Sequence, residues 1–181
     1  MSAEAPQVVP LQARHAAALG EMIEELQAAG EPFERYRERL GFDWEGAAGY
    51  IAFWSRLWDG PWPERGLVQS EFYVLMRGDR MLGEFALRLA LDAGLEREGG
   101  NVGYRVRPSE RGRGHATRML RFALGRLGEL GFARALLTVR TTNAPSLRVV
   151  AKCGGRFVDE VELPSGELNR RFWVPTFPFP E

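Results

Sequence analysis

A short apolar strand, Val102 to Val106, runs into the turn Arg111-Gly112-Arg113-Gly114, and that turn opens into an amphipathic helix. No other stretch of the chain constrains the fold so tightly. The helix is written in Ala116, Met119, Leu120, Ala123, Leu124, Leu127 and Leu130, an i, i+3, i+4, i+7 pattern that Gly131 ends. Ala135 to Val139 (ALLTV) follows, a continuously apolar run of the kind covered on both faces of a sheet. Strand, helix and strand make a βαβ unit, so these two strands are expected to run parallel. At such a strand–glycine–helix junction unpaired main-chain N–H groups converge on one point, backed by the positive end of the helix dipole. Arg111 and Arg113 add guanidinium groups where a diphosphate would sit, so the junction reads as an anion site.

The remaining elements arrange themselves around that unit. Met1 to Pro6 reads as a flexible tail, and residues 7–181 as a single domain. Gln7 to Pro10 suits a brief strand, and Ala13 to Ala28 a helix ending at Gly30. Short helices are expected around Pro32–Leu40 and Glu45–Leu57, in a segment holding Trp44, Trp54, Trp58 and Trp62. These indoles read first as packing residues and second as the wall of an acceptor pocket. Glu71 to Met76 and Arg80 to Ala90 flank Gly78-Asp79 as a hairpin. Leu91 to Gly100 reads as a loop. Asn143 or Thr142 caps a helix from Pro145 to Lys152, Gly154-Gly155 ends it, and Phe157–Leu163 pairs with Leu168–Val174 as a second hairpin.

Composition removes several classes of function. The chain has 181 residues, zero formal net charge, one cysteine and two histidines. It is long enough to bury a core without staples. A single cysteine excludes an internal disulfide and suits a reducing compartment, so a cytoplasmic location is expected. No run approaches a membrane span, and the histidines and cysteine give no metal constellation. Seven arginines against the one glutamate, Glu110, lie between Arg105 and Arg126, which raises nucleic-acid binding as a rival. The zero net charge and the apolar face shared with Arg118, Arg121 and Arg126 favour a local anion site over an extended track.

In order and spacing these pieces resemble the GNAT superfamily of acyl-CoA-dependent N-acyltransferases. Gly103 to Gly114 looks like that family's central strand and pyrophosphate turn, and Arg111-x-x-Gly114-x-Ala116 matches its R/Q-x-x-G-x-G/A signature. Asn143-x-x-Ser146 followed by Lys152-x-Gly154-Gly155 is similar to its N-x-x-S…K-x-G-F segment. The resemblance implies an α/β (α+β) fold: a mixed, mostly antiparallel central sheet of six to seven strands, with a parallel, splayed central pair and helices on both faces. It implies acetyl-CoA as co-substrate, no metal, and an amine-bearing acceptor attacking directly in a ternary complex. Main-chain N–H groups from Gly112, Arg113, Gly114, His115 and Ala116 would hold the diphosphate, and Arg111 would neutralise part of its charge. Pantetheine would pair with the strand edge near Tyr104, Val106 and Arg107, with Asn143 and Ser146 beside it. Dimers are common among similar proteins, and a homodimer fits this reading. Neither nucleic acid nor membrane is implied.

Acyl transfer needs a group that removes a proton from the amine and a donor for the leaving thiolate. Where many relatives carry a glutamate, at the start of the central strand, this chain has Asn101; where many carry a tyrosine, seven residues beyond the capping asparagine, it has Val150. Glu84 is the preferred base. Strand alternation puts it on one face with Leu82, Ala86 and Arg88, and its bland reading is an edge carboxylate paired with Arg88. Glu98 is a second choice and reads otherwise as a solvated loop residue. Tyr104 offers a phenol on the central strand, or a packed core tyrosine. The His115 imidazole is expected at the surface, and Cys153 as a small packing residue. The two departures keep alive an alternative, a non-catalytic acyl-CoA-binding protein or sensor.

Overall fold

Hydrophobic alternation and helix periodicity place nearly every element, and a computed structural model describing residues 4–31 and 46–177 fixes their boundaries. The expected helix at Pro32–Leu40, together with Trp44 and Glu45, lies outside the described residues. Close Cα approaches divide the chain into two compact units, Met1–Glu84 with Arg105–His115, and Phe85–Tyr104 with Ala116–Glu181.

In the first unit β1 (Gln7–Pro10) pairs antiparallel with β2 (Ser70–Arg77), Val8 opposite Leu75 and Pro10 opposite Tyr73. A 3-10 turn, Ala13–His15, leads into α1 (Ala16–Ala28), which buries Ala18, Leu19, Met22 and Leu26 and leaves Glu21 on its exposed face. The second helix, α2 (Gly46–Asp59), buries Tyr50, Phe53, Trp54 and Leu57, the i, i+3, i+4, i+7 stripe of a core-facing helix. That stripe lies on β2: the Phe72 ring is 4.3 Å from Trp54 and 5.6 Å from Tyr50 between centroids. Gly78, with φ of 55°, turns the chain from β2 into β3 (Arg80–Arg88), as the hairpin reading expects.

β4 (Val102–Val106) completes a four-stranded sheet in the order β1-β2-β3-β4. In the second unit, α4 (His115–Glu129) buries Met119, Leu120, Ala123, Leu124 and Leu127, each worth roughly 1.5–3 kcal/mol for the larger side chains. β5 (Arg134–Arg140), α5 (Ala144–Lys152), β6 (Arg156–Glu162) and β7 (Leu168–Pro175) follow. β7 lies between β5 and β6, antiparallel to both, with a bulge between Phe157 and Asp159.

Two readings change. Leu91 to Gly100 is not all loop: α3 (Ala93–Arg97) forms there because the Asp92 carboxylate accepts from the Leu95 N–H at 2.7 Å, a side-chain N-cap. The seven described strands also divide into sheets of four and three rather than one. β4 and β5, in separate sheets, are joined where they begin. There Asn101 donates its N–H to the Leu136 carbonyl (2.7 Å) and accepts from the Leu136 N–H on its side-chain oxygen (2.8 Å). Its side-chain nitrogen donates to the Arg88 carbonyl at 3.0 Å, so one buried asparagine ties three strands. The approach is so close that a Cβ on Gly100, itself at φ of +60°, would lie 2.3 Å from the Leu136 carbonyl oxygen.

Candidate functional site

After β4, Pro108 opens a 3-10 turn over Pro108–Glu110 and the chain passes through Gly112 (φ 76°) and Gly114 (φ 81°) into α4. These left-handed conformations favour glycine. Among the described residues nothing lies within 4 Å of a Cβ built on either glycine, so none of them covers the main chain on the side where a side chain would project. Among the described residues, the N–H groups of Gly112, Arg113, Gly114 and His115 have no main-chain acceptor. Unpaired donors, an open glycine surface and the start of a 15-residue helix coincide at one place, which is the arrangement an anion requires.

The arginines of this turn are engaged by acids that the linear sequence does not put beside them. Arg111 pairs end-on with Glu31, both contacts 2.7 Å, and its Nε donates to the Val106 carbonyl at 3.3 Å. Arg107 is buried, its Nε 2.5 Å from Glu25 and its Nη1 3.5 Å from Glu21. Burial alone would raise the Glu25 carboxyl, but hydrogen bonds from Arg107 and Ser109 outweigh it and hold the group at about 2. Glu110, buried within the turn, gathers Arg113 at 3.1 Å, Arg80 at 3.3 Å, His115 at 3.5 Å and Arg77 at 3.8 Å. Burial pushes its carboxyl upward, and the arginines around it, Arg113 foremost and then Arg80, bring it below the usual carboxylate range. The basicity counted along the sequence is therefore largely neutralised in space.

His115 is the correction here. Its side chain is 6% exposed rather than at the surface, with Nε2 3.5 Å from the buried Glu110 carboxylate and without hydrogen-bond geometry to it. Ala116 follows in the first turn of α4.

Glu84 is also not an edge carboxylate. β3 is an interior strand, and the Glu84 side chain is 3% exposed. The Tyr50 hydroxyl donates to its Oε2 at 3.2 Å, and the Arg105 Nε lies 3.8 Å from its Oε1. Burial pushes the carboxyl up, while Arg105 and then Tyr50 pull it back. Sequence reasoning missed Tyr50, although the inward stripe of α2 marks it. Arg88 donates to the carbonyls of Gly99 (3.2 Å) and Gly100 (3.1 Å).

In the second unit the Tyr104 hydroxyl is buried and lies beside Ser146 without hydrogen-bond geometry. Burial raises its phenol above the ordinary value, with Ser146 partly offsetting the effect. Asn143 caps α5 by accepting from the Ser146 N–H at 3.1 Å, which leaves its side-chain nitrogen as the group it can offer a ligand. Val150, where a tyrosine was sought, is fully buried against Gly155, whose added Cβ would lie 2.3 Å from a Val150 methyl. Burial raises the Cys153 thiol, against a nucleophilic role. Glu98 pairs with Arg140 at 3.7 Å. Among the described residues no three metal-ligating side chains cluster, and no helix is long and apolar enough to cross a membrane.

Comparison with known proteins agrees with this geometry. A family model described as "Acetyltransferase (GNAT) domain" matches residues 8–156. No curated protein sequence matches. Among solved structures, RimJ from Mycobacterium smegmatis in complex with CoA-disulfide is 20% identical, with 95% of this chain and 82% of that one covered at a TM-score of 0.69. Ribosomal-protein-S5-alanine acetyltransferase from Vibrio fischeri is 12% identical over 100% and 98% of the two chains, with a TM-score of 0.69. YncA of Salmonella typhimurium, a putative acetyltransferase solved with acetyl-CoA, is 12% identical over 95% and 94%, with a TM-score of 0.63. At these identities the likeness is one of fold.

Proposed function

Because the chain belongs to the GNAT acetyltransferase family, we propose that it moves the acetyl group of acetyl-CoA to a primary amine by direct attack in a ternary complex. The observation that carries the reading is the uncovered Gly112–Gly114 main chain with its unpaired N–H groups at the head of α4. Solved relatives of the same fold hold CoA or acetyl-CoA, which supports the choice of ligand. In this reading the N–H groups of Gly112, Arg113, Gly114, His115 and Ala116 hold the diphosphate. Arg111 contributes charge only after exchanging some of its contact with Glu31, and Arg107 contributes main chain alone, its guanidinium being held by Glu25. The main chain at Val106 borders the pantetheine arm.

The amine must lose a proton before it attacks, and Glu84 takes it. Its burial raises the carboxyl towards the working pH, the direction a general base needs. Tyr104, kept protonated by burial, is the donor to the departing thiolate. The acceptor class is a primary amine, on a small molecule, an amino acid or a protein N-terminus. Thiol release from acetyl-CoA, measured against an alanine-initiated peptide, a polyamine, an aminoglycoside and free amino acids, tests the whole reading. Amine-dependent release supports it; CoA binding without release for any amine supports a sensor instead.

A further inference from the structure

We propose that Tyr50 and Arg105 are positioning residues for Glu84: reaching it from α2 and β4, they take one carboxylate oxygen each and hold the group ionised and fixed inside the protein. The inference rests on Glu84 being the base of the acetyl transfer described above.

Glu84 stands in a run of buried apolar residues, Met81, Leu82, Phe85, Ala86 and Leu87, on a strand flanked by two others. A lone carboxyl there is driven to its neutral form, and a neutral acid takes no proton from an ammonium group. Two contacts oppose that drive. The Tyr50 hydroxyl donates to Oε2 at 3.2 Å, and the Arg105 Nε faces Oε1 at 3.8 Å. Among the described residues these are the polar side chains that meet Glu84, while β2 supplies the apolar Phe72 ring against Tyr50. The Tyr50 ring is wholly buried and held edge-on by Trp54 at 6.0 Å and Phe72 at 5.6 Å, which fixes the direction from which its hydroxyl meets Glu84. A phenylalanine would fill that space equally well. Packing thus accounts for the ring at position 50, and the contact with Glu84 is a use for its oxygen that packing does not require.

Both partners favour the charged form, so removing either raises the pH at which Glu84 titrates. The probe is the proton itself. In protein carrying 13C-labelled glutamate carboxyls, Glu84→Gln assigns the resonance, and the wild type titrates above the ordinary value of 4.5. Tyr50→Phe raises the midpoint by about one pH unit and Arg105→Gln by at least as much. The acidic limb of thiol release, measured with the panel amine acetylated fastest, moves up with it. An unmoved midpoint in folded Tyr50→Phe and Arg105→Gln proteins overturns the inference, as does a midpoint that moves without the acidic limb. If Tyr50→Phe does not fold, Arg105→Gln alone decides. A limb that survives Glu84→Gln removes the base assignment instead, so the two failures are distinct.

Discussion

The Gly112–Gly114 turn and the Glu84 cluster belong to the same unit yet are built on opposite principles. The turn is main chain: open glycines, unpaired N–H groups and a helix start, all within a few consecutive residues. The Glu84 cluster is side chain: a buried strand carboxylate, a buried helix phenol 34 residues upstream and a partly exposed arginine from the next strand. A main-chain site binds by shape and donor direction and tolerates changes in its side chains. A side-chain cluster depends on each member, because every charge buried there needs its partner. The arginines around the turn point the same way. Tied to Glu21, Glu25, Glu31 and Glu110, they brace the turn more than they supply its charge.

The contrast can be broken by substitution. Glu84→Gln is expected to have the largest effect, lowering turnover roughly 10²–10⁴-fold, the usual worth of a general base. Calorimetry should show CoA affinity near normal in the same variant; a parallel loss of binding would merge the two regions. Gly114→Val comes next. A β-branched residue at φ of 81° is strained, and its methyls cover the N–H surface. CoA binding is expected to weaken by about 100-fold, as when one or two charge-assisted hydrogen bonds are lost. The smallest effect belongs to Glu31→Gln. Removing that carboxylate releases Arg111 and takes a negative charge from beside a polyanion, so CoA should bind about two- to threefold more tightly, the gain shrinking as salt rises. Weaker binding in this variant would make Glu31 a support for Arg111 rather than its competitor.

The same contrast decides what could be read in the chain. The turn, α4, β5 and the Asn143 cap were legible because each is specified by residues within one or two helical turns of it: glycines at positive φ, an apolar stripe, a capping asparagine. α3 was missed because it spans one short turn and contains Gly94, its signal reduced to the Asp92 cap. Tyr50 was illegible as a functional group, since periodicity announces an inward ring and says nothing of what its oxygen meets. The local basicity misled for a related reason: Glu21, Glu25 and Glu31 lie on α1 or just beyond it, some 80 residues from the arginines they neutralise. His115 was expected outside because its polar ring carries no sequence mark of the burial it shares with Glu110. Asn101, met first as a glutamate that was absent, proves to be the hydrogen-bond hub that joins β3, β4 and β5.

The most direct test of the account is an amide 1H–15N titration of the wild-type protein with CoA. The N–H signals of Gly112, Arg113, Gly114 and His115 should move together and saturate with one dissociation constant, as donors do when they meet a diphosphate. If CoA binds while those four signals stay in place, the main-chain anion site is wrong.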